Sequence, residues 1–109
     1  MQQLDVHVLY DTLILDQDII RLHQPLPVTP AATEYWVKQF CLLVGFEPLN
    51  AEWGADRFQA TLFNGQFYCL LCIEWLCDSI WLESSGGSDW DAAALWRCLR
   101  DKCKSQGAG

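Results

Sequence analysis

The sequence predicts an α+β fold: a two-layer sandwich in the order ββαβββα, with an antiparallel sheet of about five strands and two helices on one face. Three observations predict it. Residues 57–83 alternate in polarity with a period of two around an Asn64-Gly65 turn signal. Residues 30–44 and 88–103 carry apolar side chains at helical spacing. Pro25, Pro27 and Pro30, the stretch 45–54 and the cluster Ser84–Ser88 separate these blocks. A chain of 109 residues fits one domain, placed at 1–104, with Ser105-Gln106-Gly107-Ala108-Gly109 as a frayed tail.

The first block, His7 to Gln24, reads as a hairpin turning near Gln17-Asp18, with Leu13, Leu15, Ile20 and Leu22 on one face. The first helix has clear ends. Thr29 is the N-cap, Pro30 occupies the first helical position and Gly45 is the left-handed C-cap. Its stripe is Thr33, Trp36, Val37, Phe40, Cys41, Leu43 and Val44. Residues 45–54 follow as a connector.

In the central meander, a two-residue Asn64-Gly65 turn pairs Thr61 with Tyr68, and a reversal at Leu76–Ser79 pairs Glu74 with Trp81. These registers sort the side chains into two faces. One is wholly apolar and includes Phe58, Ala60, Leu62, Cys69, Leu71, Ile73, Ile80 and Leu82, so the helices must cover it. The other mixes Phe63, Tyr68, Leu70, Cys72 and Trp81 with Arg57, Glu74 and Glu83. Arg57, Cys72 and Glu83 are expected in one row across three strands, and Glu74 beside Trp81. The last helix is read from Ser88, with Asp91 completing a capping box and Ala92, Leu95, Trp96, Leu99 and Cys103 as its stripe.

Composition excludes several classes. Hydrophobic residues make up 51% of the chain and charged residues 19%, the reverse of a disordered sequence. The net charge of −7, without a basic run, disfavours nucleic acid and anionic lipid as partners. The longest unbroken apolar run, Phe67 to Ile73, is far below the ~18 residues of a membrane helix. Residues 1–11 lack the cationic start and apolar centre of a secretory signal, and the expectation is a cytoplasmic protein.

Catalytic and metal-binding patterns are sparse. Cys69-x-x-Cys72 has zinc-knuckle spacing, yet its neighbours read as a strand, which sends the two thiols to opposite faces. The six cysteines therefore read as free, small apolar residues, with no metal and no cofactor. A cysteine nucleophile needs a nearby histidine, and His7 and His23 both lie in the N-terminal block. Gly86-Gly87 before a helix is only a fragment of a phosphate loop, and Asp89 and Asp91 already occupy that positive helix end. Trp53 and Asp56, in Glu52-Trp53-Gly54-Ala55-Asp56-Arg57, make a candidate loop site; the alternative is Trp53 as a lid over the end of the core.

The stretches Trp53-Gly54-Ala55-Asp56-Arg57, Asn64-Gly65-Gln66-Phe67 and Cys77-Asp78-Ser79-Ile80-Trp81-Leu82-Glu83 resemble a family of short, uncharacterised gammaproteobacterial proteins. The resemblance covers about half the chain. It implies a bacterial cytoplasmic protein of α+β fold and brings no activity with it.

The functional expectation is a small acidic interaction module, leaning away from an enzyme. It is either a homodimer or an adaptor for a protein partner. Its contact face is Arg57, Tyr68, Leu70, Cys72, Glu74, Trp81 and Glu83. The rival expectations are a small-molecule binder or enzyme with a pocket lined by Trp53, Trp75 and Trp90, and a thiol or zinc protein.

Overall fold

The computed structural model describes residues 4–86 and 89–107. The chain runs α1 (Val6–Thr12), β1 (Leu13–Asp16), β2 (Ile19–Leu22), α2 (Pro30–Val44), β3 (Glu47–Trp53), β4 (Arg57–Phe63), β5 (Tyr68–Glu74), β6 (Ser79–Ser85), α3 (Ala92–Gly107). The strands form one antiparallel sheet in the order β1-β2-β6-β5-β4-β3, and the three helices pack on one face of it. The α+β, roughly two-layer architecture is thus the expected one, enlarged by a helix and a strand. The exposed area, 6455 Å², is close to the ~6,200 Å² that size scaling gives for a folded chain of this mass.

Local chemistry accounts for the elements. Thr29 Oγ1 accepts the Ala32 N–H at 3.0 Å to start α2. Gly45 ends it at φ +75°, where its own N–H and that of Phe46 both reach the Cys41 carbonyl. Every residue of the expected α2 stripe is buried except Leu43, which is half-buried. The inner face of the sheet brings Leu13, Ile20, Leu22, Phe58, Ala60, Leu62, Cys69, Leu71, Ile73, Ile80 and Leu82 against Leu9, Phe40, Leu95 and Leu99 of the helices.

Several expectations are corrected. Val6–Thr12 is helical, because Asp5 Oδ1 accepts the N–H groups of His7 and Val8 and so caps a short helix; the hairpin begins only at Leu13. Its register, Leu13↔Leu22 and Leu15↔Ile20, is the expected one. The supposed connector 45–54 contains the edge strand β3. Proline is tolerated there, beside a register shift between Pro48 and Asn50, since an edge position leaves one side of the strand without a ladder.

Both meander turns also move. Asn64 is the first residue of its turn and not a central one: its N–H donates to the Phe67 carbonyl at 3.1 Å, while its Oδ1 accepts from Gln66 and Phe67. Gly65, at φ +95°, takes the first central position, where only glycine is free of strain. Thr61 therefore faces Leu70, and Phe63 faces Tyr68. In the next turn the Asp78 N–H donates to the Trp75 carbonyl and Asp78 adopts φ +52°, so Glu74 faces Ser79 and Cys72 faces Trp81. The last helix starts at Ala92, with Asp91 Oδ1 accepting from the Ala94 N–H. The expected cap Ser88 lies outside the described residues. Ser105 and Gln106, assigned to a tail, belong to α3, and Gln106 Nε2 donates to the Leu42 carbonyl at 3.3 Å.

Candidate functional site

The face of the sheet turned away from the helices carries one side chain from every second position of each strand. Its central row is Ile14, Arg21, Trp81, Cys72, Gln59 and Glu52, one residue from each of the six strands. The adjacent row is Asp16, Ile19, Glu83, Leu70, Thr61 and Asn50. All seven residues singled out from the sequence are on this face. Their mutual placement differs: Arg57 faces Glu74, not Cys72, and Trp81 lies between Cys72 and Arg21, not beside Glu74. Ile14, Asp16, Ile19 and Arg21 extend the face and were missed. Only their alternation with Leu13, Ile20 and Leu22 hints at an outward side, and nothing local says that β2 joins β6.

Side-chain bonds hold the centre of this face. Trp81 Nε1 donates to Glu83 Oε2 at 2.9 Å, and the Cys72 thiol reaches the same oxygen at 3.9 Å. Phe63 and Tyr68 stack at 4.5 Å between centroids. Tyr68 is 44% exposed, whereas Cys72 is only 3% exposed beneath its neighbours. Burial, then the Glu83 carboxylate, pushes the Cys72 thiol up to about 11, with Arg57 opposing. This thiol is therefore a packing group and not a nucleophile at neutral pH.

The charges are unevenly matched. The face holds five carboxylates (Asp16, Glu47, Glu52, Glu74, Glu83) and two guanidiniums (Arg21, Arg57). Among the described residues the one ion pair is Arg21 Nε to Asp16 Oδ2, 2.7 Å. Arg57, although directly across from Glu74, donates instead to Gln59 Oε1 at 3.1 Å. Glu74 Oε1 accepts the Cys77 thiol at 3.6 Å, a contact that raises the thiol pKa and so opposes activation of this exposed cysteine.

A groove of about 590 Å³ opens at the margin of the face. β2 pairs with β6 only from Ile19 to Arg21, and the chain then peels away towards Pro25. Gln24 is held on the helix side, where it donates to Thr12 Oγ1 and accepts from Trp36 Nε1. The space left between the two strands is walled by Leu22, Ile80 and Trp81, and Arg21, His23, Glu74 and Asp78 also line it.

The remaining candidates are the tryptophans and the loop at Asp56. Trp53 stacks on Trp75 at 6.3 Å and meets Phe58 edge-on at 4.7 Å, which makes it the lid over one end of the core. The Asp56 carbonyl accepts the Trp75 N–H at 2.9 Å, so the loop is tied down through its backbone while the Asp56 side chain stays exposed. Trp90 stacks on Phe67 and donates to the Tyr68 carbonyl. Tyr68 begins β5 and Trp75 follows its end, roughly 20 Å away at strand rise. The pocket expected from Trp53, Trp75 and Trp90 is thus not formed.

Cys69 and Cys72 sit on opposite faces of β5. Among the described residues no three Cys, His, Asp or Glu side chains converge as metal ligands, and no helix is long and apolar enough to cross a membrane. All six cysteines are free. No family model, curated protein or solved structure matches the chain, so the resemblance noted above stands on its own residues alone.

Proposed function

We propose that the protein is an interaction module whose outer sheet face docks a protein partner with a basic contact surface. One observation carries the reading: an apolar centre of Leu70, Cys72, Trp81, Phe63 and Tyr68 is ringed by carboxylates that outnumber the guanidiniums on the same face five to two. A merely solvated sheet face does not need that centre, and a buried layer would not keep those charges. Aromatic anchors within a charged rim are the usual composition of protein contacts.

The charge excess favours a basic partner over a second copy. Two copies would bring like-charged rims together, each on a chain of net charge −7, and mismatched charges across an interface oppose docking. A basic partner satisfies the same carboxylates. The reading is tested by comparing what immobilised wild-type protein and its Leu70→Asp variant retain from cell extract, with light scattering on the free chain. The expected outcome is a protein bound by the wild type, released by salt and lost with the variant, and a free chain that elutes as a monomer. A stable dimer abolished by Leu70→Asp would replace the basic partner with a second copy.

A further inference from the structure

We infer that the groove between β2 and β6 receives an arginine side chain of the partner, its guanidinium lying against Trp81 and bonded to Glu74. The inference rests on the docking reading above and names the chemistry of one contact within it.

Three features converge. The groove is continuous with the outer face, since Trp81 and Glu74 belong to both. It has an aromatic wall beside two carboxylates, Glu74 and Asp78, a combination that suits a flat cation better than a neutral or anionic group. The two arginines that register places nearest are already committed: Arg21, directly across from Trp81, is held by Asp16, and Arg57, directly across from Glu74, turns to Gln59. Among the described residues the one donor to Glu74 is the weak Cys77 thiol. The other ionisable groups lining the groove are His23, the Cys77 thiol and Arg21, whose Nε is bonded to Asp16 Oδ2 at 2.7 Å.

Arginine fits better than lysine. A planar guanidinium can stack on the indole and present a fork of N–H donors to a carboxylate at its edge, whereas an ammonium is a compact, strongly hydrated point charge. Asp78 lines the groove in a left-handed conformation, φ +52°, that aspartate and asparagine tolerate better than most residues. Asp78→Asn therefore removes charge without altering the turn.

The test is an NMR titration of the full chain with N-acetyl-arginine amide, with N-acetyl-citrulline amide as the neutral isostere. The expected result is saturable shifts at the Trp81 indole N–H and the Ser79 and Ile80 amides, with a Kd on the order of 1 mM for a fragment of this size. Glu74→Gln should weaken binding about tenfold, the worth of one charged hydrogen bond, and Asp78→Asn by less. Tyr68→Ala, some 20 Å along β5, should leave probe binding unchanged while it weakens retention of the partner, which separates failure of the groove from failure of the face. Equal shifts with the citrulline compound, undiminished binding to Glu74→Gln, or the absence of saturation would each overturn the assignment.

Discussion

Leu70 and Leu71 are consecutive on β5 and point to opposite faces, so replacing each with alanine measures what covers each side of the sheet. Leu71 is 0% exposed and packs beneath the helices; Leu70 is half-buried on the open face. Leu71→Ala leaves a sealed cavity, and core truncations of this kind cost about 2–5 kcal/mol. For a domain of this size each kcal/mol lowers Tm by about 4–8 °C, so a mid-range cost of ~3 kcal/mol means a fall of roughly 12–24 °C. Leu70→Ala opens no sealed cavity. It forfeits only the transfer of three half-buried carbons, about 1 kcal/mol at ~0.8 kcal/mol per buried methylene. Urea unfolding followed by tryptophan fluorescence reads both costs directly. Equal destabilisation would refute the reasoning, because it would mean that the outer face is covered as fully as the inner one.

The remaining predictions concern thiols and backbone. Burial holds the Cys72 and Cys103 thiols up at about 11 and Cys41 at about 12, against an ordinary 9.0. These groups ionise first in the unfolded chain, so their contribution to stability is intact below pH 9 and is lost as pH rises from 9 towards 12; urea midpoints at pH 8 and pH 10.5 check the sign. At pH 8, exposed Cys77 should be alkylated first and the buried thiols only on unfolding, which mass spectrometry of the quenched time course resolves. Gly45→Ala should cost about 1–2 kcal/mol, because φ +75° disfavours a Cβ, which would also meet Lys102 Cε at 3.0 Å; the readout is the urea midpoint.

The two faces of the meander were legible in the sequence even though both turns were placed wrongly. Each hairpin is offset by two residues from the expected pairing, Thr61 with Leu70 instead of Tyr68 and Glu74 with Ser79 instead of Trp81. A shift of one residue exchanges the faces, whereas a shift of two restores them. The outward set therefore survived while its rows did not, and the imagined alignment of Arg57, Cys72 and Glu83 was lost. Helix α2 was readable end to end because its caps are encoded by single residues, Thr29, Pro30 and Gly45. Strand β3 carried no hydrophobic alternation to read, since all seven of its residues are exposed at a sheet edge. Helix α1 spans only about two turns and buries Leu9 alone, too little for a periodic stripe. The groove depends on where β2 departs from β6, a long-range pairing with no local signature.

Docking at the open face is tested most directly by a photo-crosslinking residue, p-benzoylphenylalanine, placed at Tyr68 on that face and separately at Leu42, which is 71% exposed on α2 in the helix layer. Both positions are solvent-accessible, so accessibility alone cannot separate them. The expected result is a discrete adduct with one other protein from position 68, diminished by added salt, and none from position 42. No adduct at 68, or the same adducts from both positions, would contradict the claim that this face is where the protein meets its partner.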